Sequence, residues 1–373
     1  MPITSTIVTL LIFTIIVVAH EWGHYIVARK HGVLVEEFAV GMGPMLFSWQ
    51  RGETLFSIRA IPLGGYCKML DGEVDEDNDP RAFISKKVWQ RIAILIAGSF
   101  MNFVLAVVLG IVLISSTFVS TTTVSSVMPN LPAEAAGIVP GDRILRIDGS
   151  TIHSFEHIGR ALTRAGGDEI DVVIRRDGTR LTIPLAAEYV VDEELGTSRY
   201  MMGIAMEIRA GFFSPLREFL DVADPIETIR GAWGMSVYSV TMVIDGLSMI
   251  VRRQVDMDDV LGPIGVGQAI DTTLQAAVDA EIPVRSMALF VVQVAILLSA
   301  NLAVLNLLPI PALDGGRIVF LIIEGIRRKP LPEEKEGWIH LAGFAFVIGL
   351  AVMIAFNDIL RIVRQHFLRE QYT

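Results

Sequence analysis

Four apolar runs nearly free of charge dominate this 373-residue chain, at approximately 7–28, 92–113, 288–308 and 341–360. Each has the length of about 20 residues that crosses the hydrocarbon core of a bilayer. A backbone in lipid must satisfy its own hydrogen bonds, so each run is expected as a transmembrane helix. The fold class that follows is a polytopic α-helical membrane protein of about four transmembrane helices, with other material inserted between them. The composition, 52% hydrophobic and 19% charged, is too apolar for an ordinary soluble domain. A fifth run, 231–251, is interrupted by Asp245-Gly246 and flanked by Arg230 and Arg252-Arg253. It is expected to lie in the membrane interface, because four strong spans already account for the topology. No basic residue precedes the first run, and a cleavage near Ala19 would damage the motif that follows, which argues against a signal peptide.

Basic residues near the span ends orient the chain. The stretch 29–91 carries nine Lys and Arg, including Arg29-Lys30 and Lys86-Lys87, and Arg327-Arg328-Lys329 follows the third run. The positive-inside rule places both in the cytoplasm and the long segment 117–285 outside. Arg361, Arg364 and Arg369 pull weakly the other way. A net charge of −10 offers no general surface for nucleic acid. The single cysteine, Cys67, excludes an intramolecular disulfide framework and a cysteine-rich zinc site, and reads as a bystander.

The chain divides into 1–116, holding the first two spans; 117–208, a folded module; 209–285, a juxtamembrane amphipathic segment; and 286–373, the last two spans. Within the module, PAEAAGI and PGDRILRIDG give a turn followed by a short strand with apolar residues at 145 and 147. Ser154 is placed to cap a helix at 155–164 that Gly166-Gly167 ends. Strands at 170–175 and 180–184 are joined by Asp177-Gly178, a hairpin signal. This order resembles a bacterial PDZ domain, in which a groove between a strand and a helix takes an extended peptide end. Before the second span, 33–47 and 54–61 read as strands broken by Gly41-Met42-Gly43-Pro44 and Arg51-Gly52. The acidic run 71–79 lacks the spacing of a calcium loop and reads as solvated.

The chemistry begins at His20-Glu21-Trp22-Gly23-His24, at the end of the first apolar run. Residues i and i+4 share a helix face, so His20 and His24 can ligate one metal ion, and Glu21 beside them can take a proton from water. A catalytic zinc takes three protein ligands. Of the other histidines, only His31 and His340 fall near the same membrane side, and neither sits in a metal-like pattern. Asp314, in NLLPIPALDGG, is the better candidate. A carboxylate within or beside an apolar span is costly without a partner, and a metal held by two imidazoles provides one. Pro309 and Pro311 break the helix there, and Gly315-Gly316 permits close backbone approach.

HEWGH in the first span, the PDZ-like module, and NLLPIPALDGG by the third span together resemble the site-2 protease family, in its bacterial regulator-of-sigma-E-like branch. VEEFAVGMGP, IPLGGYCKM, AGSFMNF, Gly262-Pro263-Ile264-Gly265 and Asn357-Asp358 extend the likeness over most of the chain. The resemblance implies one zinc held by His20, His24 and Asp314, with Glu21 as catalytic base. It also implies that Gly41 and Gly43 belong to a membrane-associated β-loop whose edge binds substrate. Asn306 would help hold that substrate, and Gly98 and Asn102 would pack around the site. Ser99 stands where the family pattern usually has proline, and one PDZ-like module stands where some relatives have two. The implied partners are the lipid bilayer and single-span membrane substrates, such as anti-sigma factors, trimmed first by an upstream site-1 protease. The implied location is the bacterial inner membrane. A membrane-anchored PDZ scaffold without catalysis would need both metal motifs to be coincidences, and a metal transporter would usually carry internal repeats that this chain lacks.

Overall fold

The computed structural model describes residues 3–70, 79–192, 197–254, 261–329 and 333–371. In chain order, α1 (Ile3–Lys30) leads into the long strands β1 (Val35–Arg51) and β2 (Thr54–Met69), then α2 (Val88–Ser116). Next come β3 (Phe118–Val127), the one-turn α3 (Pro132–Ala135), β4 (Arg143–Ile147), β5 (Ser150–Thr151) and α4 (Phe155–Ala165). Strands β6 (Glu169–Arg176), β7 (Thr179–Ala186), β8 (Glu188–Asp192), β9 (Thr197–Met201) and β10 (Ile204–Ala210) follow. The rest is helical: α5 (Pro225–Val251), α6 (Pro263–Asp279), α7 (Val284–Leu305), α8 (Asp314–Arg327) and α9 (Glu333–Gln371). The acidic residues 71–78 lie outside the described part.

Among the described residues, five helices rather than four are long and apolar enough to cross a membrane. They are Ser5–Lys30, Val88–Ser116, Pro225–Val251, Val284–Leu305 and Gly337–Ile362. The third of these, α5, contains the run 231–251 that the sequence pattern sets in the interface. Helix α5 runs unbroken through Asp245-Gly246, because a lone interior glycine costs only about 1 kcal/mol against alanine. Helix α7 stops at Leu305, short of the expected boundary at 308. The ring of Pro309 would meet the carbonyl four residues earlier, so the helix must end there.

Two compact units divide the described chain, 1–106 with 240–373, and 107–239. In the first, Ile12 and Ile16 of α1 pack with Ile270 of α6 and Leu298 and Leu302 of α7. Gly23 brings α1 hard against α2: a Cβ there would lie 2.2 Å from the Ala97 carbonyl oxygen. The hairpin β1–β2 folds so that Phe38 pairs with both Cys67 and Phe56, leaving β1 flanked twice by β2. Its base is buried, and from Met42 onward β1 is exposed. Helix α6 begins at Gly262-Pro263-Ile264-Gly265, whose Gly262 and Gly265 N–H groups donate to the buried Asp358 carboxylate at 3.2 and 2.7 Å. Those N–H groups have no acceptor within the helix, so the two sequence motifs are halves of one cap.

The second unit is an α+β module. Its main sheet runs β10-β3-β4-β6-β7, with β5 added to β4. Val172 and Ile174 alternate inward on β6, an irregularity in β4 between Ile144 and Arg146 lets Ile144 and Ile147 both point inward, and all four share a core with Ile158 and Leu162 of α4. The β6–β7 turn has Asp177 and Gly178 at φ 49° and 80°, the left-handed pair that a two-residue hairpin requires. Pro184 is tolerated because β7 is an edge strand. Ser154 precedes α4, yet its hydroxyl faces His157 Nδ1 at 3.0 Å instead of capping the helix.

Candidate active site

Helix α1 carries His20 and His24 one turn apart, both buried, with their Nε2 atoms 3.1 Å from each other. Asp314 comes from the first turn of α8, where free helix N–H groups favour an acidic side chain. Its Oδ2 lies 3.0 Å from His20 Nε2 and 3.3 Å from His24 Nε2. The loop between α7 and α8 makes this approach. Gly315 N–H donates to the Asn306 carbonyl at 2.7 Å, folding residues 306–313 back on the helix start. A Cβ at Gly315 or Gly316 would lie 2.2 Å from the Leu308 carbonyl oxygen or 2.4 Å from that of Ile310, so both positions demand glycine.

The three ligand atoms form a triangle with sides of 3.0, 3.1 and 3.3 Å. Tetrahedral zinc with bonds of about 2.0–2.1 Å sets its ligand atoms about 3.3 Å apart. The triangle is therefore close to one face of that tetrahedron, and the donor set of two imidazoles and one carboxylate suits zinc. Without a cation, two ring nitrogens would face each other and compete for one carboxylate oxygen. Glu21 is not part of the triangle, although its carboxylate lies within 4.8 Å of the imidazole nitrogens. Its Oε2 accepts the Cys67 N–H at 3.0 Å, which ties it to β2. Cys67, a bystander in the sequence reading, thus contributes its backbone. No side-chain pattern could have signalled that. Its thiol is pushed up to about 12, first by burial and then by the charge of Glu21.

Helix α2 supplies the back wall. His24 Nδ1 donates to the Ile94 carbonyl at 2.8 Å, which leaves Nε2 with its lone pair free for a metal. The Asn102 side-chain amide lies 3.4 Å from His20 Nδ1, and Ser299 Oγ donates to the Asn102 carbonyl at 2.8 Å. Asn102 Oδ1 and Ser99 Oγ are buried without a described partner. Turning the Asn102 amide over would bring Oδ1 onto His20 Nδ1 and give both imidazoles the same tautomer. Asn306 sits at the end of α7 with its amide 3.3–3.4 Å from the His20 ring nitrogens. At Gly98 a Cβ would lie 2.5 Å from His24 Nε2 and 2.6 Å from His20 Cε1. The imidazoles rest on bare helix backbone. His31 is occupied elsewhere, its ring 5.2 Å from that of Trp89, and the side chain of His340 is outside the described residues.

Gly41 and Gly43 lie on β1 at φ 86° and 81°, outside the ligand cluster. They bend the strand where it leaves the buried base. Beneath them is a polar cluster that sequence patterns did not reveal. Glu37 Oε1 accepts from Ser57 Oγ at 2.6 Å and Arg59 Nη2 at 2.7 Å, and its Oε2 accepts from Tyr66 at 2.7 Å. Burial would raise the Glu37 carboxyl, but these hydrogen bonds and the Arg59 charge hold it below its usual range. Arg59 Nη1 also donates to the Gly43 carbonyl at 2.8 Å, fixing the bend. In the α+β module, a hollow of about 400 Å³ opens beside β3, with Arg143, His153 and Arg230 among its lining residues.

Residues 8–350 match the model of peptidase family M50. A Clostridium perfringens protein whose name carries the words zinc metalloprotease is 35% identical over 355 residues, covering 95% of this chain and 98% of that one. The zinc metalloprotease RasP of Shouchella clausii is 30% identical over 432 residues, covering 93% and 97%. RasP of Oceanobacillus iheyensis is 28% identical over 441 residues, covering 96% and 99%.

Proposed function

The chain belongs to peptidase family M50, and from that membership we propose that it is an intramembrane zinc endopeptidase. Its substrates are single-span membrane proteins, cut within or near the transmembrane helix. The observation that carries this reading is the triangle of His20 Nε2 and His24 Nε2 on α1 and Asp314 Oδ2 at the start of α8, with the Glu21 carboxylate beside it. His20, His24 and Asp314 would hold one zinc ion. When bound, zinc supplies Lewis acidity, making water acidic enough to attack near neutral pH and polarising the scissile carbonyl. Glu21 accepts the proton of the attacking water and returns a proton to the leaving amine. The Cys67 N–H keeps one Glu21 oxygen engaged, so the other faces the reaction. The Ile94 carbonyl and the Asn102 and Asn306 amides hold the imidazoles in place.

A transmembrane helix shields its peptide bonds, so it must unwind before hydrolysis. The exposed part of β1 from Met42 onward, beyond the bend that Gly41 opens, is suited to hold the unwound segment as an added strand, because there β1 pairs with β2 on one side only. Asn102 and Asn306 then lie on the metal side of that substrate. His20 is 13 residues beyond Ile7, about 20 Å along the helix, which supports chemistry past mid-bilayer on the cytoplasmic side. The α+β module is PDZ-like and extracytoplasmic in a bacterial inner membrane. It admits substrates already shortened by a site-1 protease, such as anti-sigma factors, by size or by binding the new C-terminus. Glu21→Gln in purified, reconstituted enzyme should keep one zinc per chain and lose cleavage of a single-span substrate; retained cleavage would sink the assignment of Glu21.

A further inference from the structure

The stretch 29–91 contains five arginines. Three are engaged: Arg59 with Glu37, Arg81 with Asp79 and Glu53, and Arg91 with Glu324. Arg29 and Arg51 are paired with no other described side chain, and both line one open hollow of about 450 Å³. Trp22, Tyr25 and Arg29 share a face of α1 at spacings of three and four residues, and the β1–β2 turn brings Arg51, Gly52 and Phe56 against that face. Trp22 stacks on Tyr25 with ring centroids 5.0 Å apart, and Tyr25 meets Phe56 at 5.7 Å. Among the described residues, no carboxylate lines the hollow.

We propose that this hollow binds the phosphate headgroup of an anionic phospholipid. Arg29 and Arg51 supply the donors, and Trp22, Tyr25 and Phe56 seat the glycerol and the first acyl carbons. The proposal rests on the reading of α1 as a membrane-crossing helix. Arg29 lies in the last turn of that helix, where hydrocarbon gives way to headgroups and where indole and phenol rings prefer to sit. Two arginines lining one hollow bring positive charge to it with no described carboxylate to balance it, and a phosphate there would take forked, charge-assisted hydrogen bonds from them. A choline headgroup would bring a third positive charge to the same place. The paired arginines nearby are neutralised by their own carboxylates, which leaves this site as the one built for an external anion among the described arginines of the stretch.

Native mass spectrometry of the full-length protein tests this, using equal amounts of phosphatidylglycerol and phosphatidylcholine with identical acyl chains. Wild type should retain phosphatidylglycerol preferentially. Arg29→Gln with Arg51→Gln should reduce that preference roughly 25-fold, a factor of about five for each charge removed. Lys86→Gln with Lys87→Gln removes two charges from the same stretch and should leave the preference in place. Equal loss in both double variants would overturn the proposal in favour of a diffuse potential. Displacement of the lipid by excess inorganic phosphate would overturn it in favour of a phosphate site. Lipid retention is read without any cleavage assay, and unchanged zinc content shows that the variant has folded, so a failure here is separable from a failure of the protease reading.

Discussion

Gly98→Ala isolates the geometry of the candidate metal centre from the stability of its scaffold. In a helix interior alanine is favoured over glycine by about 1 kcal/mol, so α2 itself should not suffer. The new Cβ, however, would lie 2.5 Å from His24 Nε2, 2.6 Å from His20 Cε1 and 2.7 Å from His20 Nε2. Ordinary carbon contacts begin at about 3.5 Å, so relief requires the rings to retreat by about 1 Å. They have little freedom to do so. His24 Nδ1 is held by the Ile94 carbonyl, and His20 is enclosed by the amides of Asn102 and Asn306. A metal site tolerates about 0.2 Å in its bond lengths. A 1 Å displacement therefore removes at least one imidazole from the triangle, with zinc affinity falling by about 100-fold or more. Chelator competition on purified protein, with bound zinc read by elemental mass spectrometry, measures this directly. Helical circular dichroism should be unchanged. Wild-type zinc affinity in Gly98→Ala would refute the reasoning, because it would mean that the rings do not rest on α2 as described.

Two other consequences concern the surroundings of that centre. Arg59→Ala removes the donor to the Gly43 carbonyl and leaves Glu37 with only Ser57 and Tyr66 as partners; kcat/KM for a single-span substrate should fall by about tenfold, as expected for losing a charged hydrogen bond of about 1.5 kcal/mol, while zinc content stays at the wild-type level. In the α+β module, the Arg176 guanidinium holds the Asp142 carboxyl below its usual range despite burial, helped by the Val139 N–H. Because the folded value lies below the unfolded one, this contribution is full above about pH 4 and is lost as pH falls further. Asp142→Asn should lower the protection of the β4 amides by about 1 kcal/mol near neutral pH, the pair being partly screened through the half-exposed Arg176. It should also flatten the acid dependence of that protection, as read by hydrogen exchange corrected for intrinsic rates.

The sequence alone determined whatever depends on neighbours within a few residues. The i and i+4 spacing put His20 and His24 on one helix face, apolar runs announced the long helices, and Asp177-Gly178 announced the β6–β7 turn. It also singled out Asp314 through the cost of a lone carboxylate beside an apolar span. These signals are legible because periodicity and turn chemistry are local properties of the chain. The tertiary structure decided the rest. It brought Asp314 within 3.0 Å of a histidine 294 residues away, set Gly98 under both imidazoles, and tied Glu21 to a backbone N–H of β2. It joined the Gly262–Gly265 segment to Asp358 as one cap. Arg59 reached across the hairpin to hold the bend at Gly43, whereas Arg29 and Arg51 were left without partners among the described residues. Such contacts leave no periodic trace, because they arise from how non-adjacent surfaces pack and which backbone groups remain unpaired at the ends of helices and strands.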